Sequence, residues 1–230
     1  GYRNLSYLVS MAHVEGFYIK PRIDLDLLRE HSKGLIALSA CLAGEIPRRL
    51  RNGDYNGAKE YALTLSEIFG PEHFYLELQD HGIRDQVIVN KGILRLHEET
   101  GLPLVVTNDA HYLRKEDAYA HDVLLCIQTG KTVDDENRMR YEPQNFYLRS
   151  TEEMEALFAG YPDAVENTQR IADRCRFDFT FGKYHLPEFR LPPGYDSPTY
   201  LRELCEKGFA ERYGAQKPEY HRQLEYELAM

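Results

Sequence analysis

Two polar residues follow a short apolar run near the middle of the chain, and their types suggest metal chemistry. Residues 104–106 are continuously apolar, which predicts a strand buried on both faces. Asp109 and His111 lie two positions apart, so in extended backbone their side chains point the same way. A carboxylate and an imidazole at the end of a buried strand are common ligands of a divalent metal. The spacing alone is a weak signal, because such pairs recur by chance.

Polar residues also follow the two other predicted strands. Residues 34–39 form an apolar run that leads to Cys41, and residues 73–79 lead to Asp80 and His81. Helical patterns separate the three strands, which predicts a parallel sheet with crossover helices. Active sites of parallel α/β folds lie at the carboxyl ends of their strands. The pattern therefore predicts that metal-competent side chains gather at one edge of the sheet.

Each accompanying residue has a plainer alternative. Cys41 can be a ligand, a nucleophile or simply a small buried side chain. His81 lies in a sequence typical of turns, yet it suits a metal or phosphate contact equally well. Glu77 is either a solvated strand residue or a side chain that approaches the site. Lys20 and Arg22 suit phosphate binding, although a solvated basic loop is the simpler interpretation.

Composition and charge narrow the class of protein. The chain has 230 residues, a net charge of −9 and a pI near 5.5, which argues against a sequence-wide electrostatic grip on nucleic acid but leaves room for a local basic patch. Its 4 cysteines lack C-x-x-C spacing, so neither a disulfide framework nor a zinc ribbon is indicated. Without a membrane-length apolar run or a signal peptide, we expect a cytoplasmic protein with no membrane partner.

The pattern changes in the second half of the chain, where helices dominate. Helices are predicted after Ser150, after Pro162, from Ser197 and from Pro218, while residues 177–194 are rich in proline, glycine and aromatics and predict an irregular connector. We place a domain boundary near 177–197. Because the sequence starts without Met and ends in a helical pattern, we expect a part excised from a longer protein.

Several ordered motifs resemble one family along the whole chain. The motifs are residues 17–24, 34–46, 74–82, 105–112, 145–150, 166–172 and 200–204. Together they resemble the alpha subunits of bacterial DNA polymerase III, which form the C family of replicative polymerases. The first four motifs are similar to the later part of the amino-terminal PHP (polymerase and histidinol phosphatase) domain of that family.

The resemblance implies an α/β fold: a partial, distorted (β/α)7 PHP barrel followed by a mainly helical connector toward the polymerase palm. The implied domains are the C-terminal portion of the PHP domain (1–176), a connector (177–197) and the start of the palm and thumb region (198–230). Cys41, Asp109 and His111 fall on metal-ligand positions of the family. Mixed Cys, His and Asp ligands favour zinc or manganese, whereas the parent polymerase is expected to use magnesium.

The implied function is that of a DNA-synthesising subunit whose PHP domain binds divalent metals and carries a 3′–5′ exonuclease. Its expected partners are DNA, deoxynucleoside triphosphates, a proofreading exonuclease subunit and a sliding clamp. The family's opening H-x-H motif and its palm aspartates have no counterpart in this sequence, so no complete catalytic site is expected in this part alone. The alternative is a stand-alone PHP-type metal-dependent phosphoesterase.

Overall fold

A parallel sheet of three strands lies at the centre of the fold. The computed structural model describes residues 1–141, 144–184, 186–214 and 217–230. Strands β1 (Ala37–Leu38), β2 (Phe74–Leu78) and β3 (Leu104–Val106) pair in the order β1-β2-β3. Leu76 pairs with Leu104 and Leu78 with Val106, so β2 and β3 end level with each other.

Ten α-helices surround and follow this sheet within the described ranges. They are α1 (Tyr2–Val14), α2 (Leu25–His31), α3 (Glu45–Arg51), α4 (Tyr55–Phe69), α5 (Arg84–Thr100), α6 (Ala118–Thr129), α7 (Thr151–Leu157), α8 (Pro162–Arg174), α9 (Ser197–Tyr213) and α10 (Pro218–Leu228). A 3-10 turn, Lys115–Asp117, precedes α6. The alternation of strand and helix from β1 to α6 confirms the predicted α/β class. None of the helices described is long and apolar enough to cross a membrane.

Local capping chemistry sets several helix ends. The Asp24 side chain accepts a hydrogen bond from the backbone N–H of Leu27 at 2.8 Å and begins α2. Ser150 and Glu153 form a reciprocal capping box at the start of α7. Gly101 ends α5 with a φ of 71°, a left-handed conformation that glycine adopts without steric cost. The sequence pattern predicts Asp24 as a helix cap, Ser150 and Glu153 as a capping box and Gly101 as a helix stop, and all three are confirmed.

The core lies around β2, whose residues are all buried. Leu76, Ile93 and Leu96 are fully enclosed in one cluster that joins the sheet to α5. Glu77 is only 9% exposed, so the interpretation of this residue as a solvated strand residue is wrong. The reason is that β2 is the central strand, and its second face is covered as well as its first.

Two predicted boundaries differ from the structure. The predicted strand 34–39 shrinks to the two residues of β1, although Ser39 still donates its N–H to the carbonyl of Tyr75 at 3.0 Å. Ala40 then turns the backbone into the left-handed region with a φ of 68°. The helical pattern before α6 predicts a helix that already starts at residue 115, whereas residues 115–117 form a 3-10 turn. The described residues form three strands, so the partial barrel stays a prediction.

The chain divides into two compact units, Gly1–Phe177 and Asp178–Met230. The first unit contains the sheet and α1 to α8. The second contains α9 and α10, which are joined by an ion pair between Arg202 and Glu225 at 2.8 Å. The rings of Phe209 and His221 also meet edge to face, with centroids 5.5 Å apart.

Replacing Leu76 by alanine tests the importance of the central strand. Leu76→Ala leaves a cavity among fully buried neighbours, and we expect the free energy of unfolding to fall by roughly 2–5 kcal/mol. Leu38→Ala, at a partly exposed position of β1, is the control and should cost less than about 1 kcal/mol. Urea unfolding of both variants measures the difference, and equal losses would contradict a core centred on β2.

An ion-pair cluster between α4 and α5 predicts a defined dependence of stability on pH. Hydrogen bonds from Lys59 and Arg95 lower the pKa of Glu99 from 4.5 to about 2. The stabilisation is therefore present above pH 4.5 and is lost as the pH falls toward 2. Glu99→Gln should flatten acid unfolding in this range. Glu98→Gln, at an exposed neighbour without an ion pair among the described residues, should leave the profile unchanged.

Candidate functional site at the carboxyl ends of the strands

Asp109 and His111 lie together in the loop that follows β3, as predicted. His111 Nε2 is 3.3 Å from Asp109 Oδ1, and both side chains are partly exposed. The backbone N–H of His111 donates to the carbonyl of Phe146 at 2.7 Å, and Tyr112 forms a parallel bridge with Tyr147. This pairing with a distant segment holds the loop, so the Asp109–His111 pair does not depend on β3 alone.

His81 is completely buried at the carboxyl end of β2. Its backbone N–H donates to Gln86 Oε1 at 2.8 Å, and the Gln86 Nε2 group lies 2.9 Å from His81 Nδ1. Because the same amide accepts with its oxygen, its nitrogen must donate, and His81 Nδ1 must accept. The neutral ring then carries its proton on Nε2, which has no partner among the described residues. In this state His81 is a hydrogen-bond donor.

The surroundings of His81 favour its neutral form. Burial lowers the pKa of His81, and the positive charge of Arg149 lowers it further. The ring stacks on Phe146, with centroids 4.5 Å apart and planes at 5°. The turn interpretation is also correct, since Gly82 N–H donates to Asp80 Oδ1 at 2.9 Å. A turn therefore places a buried donor at the strand end.

Glu77 belongs to a buried polar network that joins the three strands. Its carboxylate accepts hydrogen bonds from Thr107 Oγ1 and from Gln79 Nε2, and its backbone N–H donates to Ser39 Oγ at 2.8 Å. Ser39 follows β1, Gln79 follows β2 and Thr107 follows β3. The network holds the three carboxyl ends next to each other, which is a supporting role for Glu77.

Cys41 lies in a tight loop after β1 and is a half-buried free thiol. Gly44 closes this loop by donating its N–H to the Cys41 carbonyl at 2.8 Å. A Cβ at Gly44 would lie 2.7 Å from the Ser39 carbonyl oxygen, so the position requires glycine. The loop fixes the backbone of Cys41 at the same edge of the sheet as the other strand ends.

Lys20 and Arg22 are exposed, and their recorded contacts are with Tyr18 and not with the strand-end residues. The backbone of Lys20 bonds to Tyr18, and the Arg22 guanidinium lies 5.6 Å from the centre of the Tyr18 ring. Neither side chain forms an ion pair or hydrogen bond with Asp109, His111 or His81 in the part of the chain that is described. Their suggested phosphate role is left without structural support.

An aromatic cluster around His111 was not predicted as part of the site. The rings of Tyr141, Phe146 and His121 lie 4.6, 5.4 and 5.6 Å from the His111 ring, centre to centre. The helical pattern predicts that His121 packs within α6, and the structure adds that this face of α6 meets the candidate site. Only the spacing of residues 118, 121, 122 and 125, which share one helical face, hinted at this.

The donor set suits a divalent metal only in part. Asp109 and His111 supply a carboxylate and an imidazole in contact, and the Cys41 thiol is of a type that binds soft metals, but no contact joins it to that pair in the part of the chain that is described. A structural metal site needs about four ligands and a catalytic one about three. Within residues 1–141, 144–184, 186–214 and 217–230, no group of three or more His, Cys, Asp or Glu side chains is arranged to hold a metal. A metal bound by the Asp109–His111 pair would therefore need further donors.

Comparison with known proteins supports the resemblance inferred from the motifs. The PHP domain family matches residues 1–81, which include Cys41 and His81 but not Asp109 or His111. The chain is 42% identical over 229 residues to DNA polymerase III subunit alpha of Treponema pallidum, which covers 99% of this chain and 20% of that protein. It is 45% identical over 215 residues to the Borreliella burgdorferi subunit, covering 93% and 19%, respectively. For the Thermus aquaticus subunit the identity is 44% over 219 residues, covering 93% and 18%.

This chain is similar to bacterial DNA polymerase III alpha subunits along nearly its whole length. The resemblance predicted from the sequence is confirmed. The chain spans about a fifth of the length of these relatives. The similarity to DNA polymerase III alpha continues well beyond residue 81, through α5 to α10, and therefore includes the loop that carries Asp109 and His111.

The Gln86 clamp on His81 gives a spectroscopic prediction. At pH 7 His81 should be neutral with its proton on Nε2, because its pKa lies below 6.5 and Gln86 donates to Nδ1. Gln86→Leu leaves a buried N–H unpaired and should lower the free energy of unfolding by about 1–3 kcal/mol. Imidazole ¹⁵N shifts and urea unfolding measure both effects. Gln169→Leu, on the exposed surface of α8, is the control, and a proton on Nδ1 in the wild type would contradict the assignment.

Proposed function

We propose that this chain is part of the catalytic alpha subunit of a bacterial replicative DNA polymerase. The supporting observation is 42% identity over 229 residues to such a subunit. This similarity extends beyond residues 1–81, which match the PHP domain family. The substrates of the whole protein would be primed DNA and deoxynucleoside triphosphates, with magnesium for synthesis. A proofreading exonuclease subunit and a sliding clamp would be its partners, and its place of work the bacterial cytoplasm.

The proposed domain layout extends the sequence interpretation. Residues 1–176 would be the C-terminal portion of a PHP domain, and the three parallel strands would be part of its distorted (β/α)7 barrel. Residues 177–197 would be a connector, followed by the start of the palm and thumb region at 198–230. The compact units Gly1–Phe177 and Asp178–Met230 are compatible with this layout.

The proposed role of the strand-end site is to bind divalent metal and hydrolyse phosphodiester bonds from the 3′ end. Cys41, Asp109 and His111 would contribute ligands of zinc or manganese, and a bound metal would supply an activated water. The Asp109 carboxylate lies against His111 Nε2 and can orient that imidazole. The buried Nε2–H of His81 is available to an acceptor at this edge of the sheet.

The alternative is a stand-alone PHP-type phosphoesterase that acts on small phosphates. Against it, the identity to the alpha subunits covers 93–99% of the chain, including the helical second unit. The two functions are separated by assaying the protein that contains this chain for extension of a primed DNA template. Template-dependent extension supports the polymerase, whereas hydrolysis of phosphomonoesters without extension would favour the alternative.

Metal content tests the strand-end site directly. We expect the protein that contains this chain to retain zinc or manganese after dialysis, and its Cys41→Ala and Asp109→Ala variants to lose most of it, because each removes a proposed ligand. Elemental analysis measures the bound metal, and circular dichroism checks that the variants fold. Cys175→Ala and Asp178→Ala remove the same residue types at exposed positions and should retain the metal. Full metal content in Asp109→Ala would contradict the proposed ligand set.

A further inference from the structure

A small polar cavity lies beside the Asp109–His111 pair. It has a volume of about 150 Å³. Its wall shares His121 and Tyr141 with the rings that surround His111, and it also contains Tyr112, whose ring lies 5.3 Å from the His121 ring. The cavity and the candidate metal pair are therefore neighbours within the first compact unit.

Two arginine side chains contribute positive charge to the wall of the cavity. Among the residues that the structure describes, the wall contains Arg138, Arg140 and one acidic residue, Asp122, so the described arginines exceed the described carboxylates by one. The other polar lining groups are the two tyrosine hydroxyls, the His121 ring and the Gln144 amide. Such a wall favours a small anion over a neutral or cationic ligand.

Arg138 is held rigidly with unused hydrogen-bond donors. Its side chain is only 6% exposed, and it binds both oxygens of Asp122, at 2.5 and 2.7 Å. Its Nε–H donates to the Val133 carbonyl at 3.3 Å. A guanidinium has five N–H donors, so one N–H on each terminal nitrogen is left without a partner among the described residues. A preorganised, nearly buried guanidinium with spare donors is well suited to bind phosphate oxygens.

Arg140 supplies the charge that Asp122 does not neutralise. Its Nη2 donates to the backbone carbonyl of Asp135 at 3.3 Å, and it forms no ion pair within the described ranges. The hydroxyl of Tyr112 accepts a hydrogen bond from Phe146 N–H at 3.2 Å, so its own proton can still be donated. Arg138 and Arg140 therefore offer positively charged N–H donors to this cavity, and Tyr112 offers a hydroxyl donor.

We propose that this cavity binds the phosphate group of a phosphoester substrate next to Asp109 and His111. The inference rests on the proposed phosphodiesterase function, and it adds the element that would hold the substrate. Arg140 contributes the net charge and Arg138 contributes directional hydrogen bonds, while Tyr141, which lines the cavity, also contacts the His111 ring.

Titration of the metal-free chain with inorganic phosphate tests this proposal. Calorimetry on chelator-treated protein should show phosphate binding, and Arg140→Gln should weaken it about tenfold through loss of one charge-assisted contact. Arg3→Gln removes the same charge from an exposed arginine of α1 and should leave the affinity unchanged. Tyr141→Phe, a second variant that keeps the ring, should weaken binding by a smaller factor.

The outcomes separate this proposal from the proposed metal site. Absence of phosphate binding in the wild type, or equal affinity in wild type and Arg140→Gln, would overturn the cavity assignment. Binding that requires added manganese and is lost in Asp109→Ala but not in Arg140→Gln would also overturn it, while supporting the metal site. Arg140-dependent phosphate binding in a protein that binds no metal would support the cavity and count against the metal-dependent function.

Discussion

The structure depends on the parallel pairing of β2 with strands on both of its sides. This pairing buries every residue of Phe74–Leu78 and brings the carboxyl ends of the strands to the same edge. The polar network of Ser39, Glu77 and Thr107 then connects these ends directly below the loops that carry the candidate chemistry. If β1 or β3 ran antiparallel to β2, its carboxyl end and the Cys41 or Asp109 that follows it would lie at the opposite edge of the sheet.

Most helices and the order of the elements were predictable because their signals are local. The Asp24 cap, the Ser150 capping box and the Gly101 stop act within a few residues, and all are confirmed. The length of β1 was not predictable, since β2 begins opposite Ala37 and the backbone of the first strand turns into the left-handed region at Ala40. The burial of Glu77 was not predictable either. Alternating apolar and polar residues in β2 predict a solvent-exposed face only when no neighbouring element covers that face.

The candidate site was predictable in its strand-end residues but not in the groups that surround them. Asp109 and His111 were expected together, and their 3.3 Å contact agrees with that expectation. Phe146 touches both His81 and His111, yet it comes from a segment far along the chain with no motif linking it to either histidine. The overall charge of −9 likewise concealed a locally basic cavity wall, because net charge carries no information about position.

The double contact of Gln86 with His81 has a consequence for proton uptake. One amide serves two groups of the same residue, with its oxygen on the backbone N–H and its nitrogen facing the ring. A proton on Nδ1 would meet another donor, so the amide would have to rotate, and the backbone N–H would then lose its acceptor. Charging this imidazole therefore requires the hydrogen bond between the His81 backbone N–H and the Gln86 side chain to be given up. The protonation of the His81 ring and the hydrogen bond to its backbone N–H therefore both depend on the orientation of the Gln86 amide.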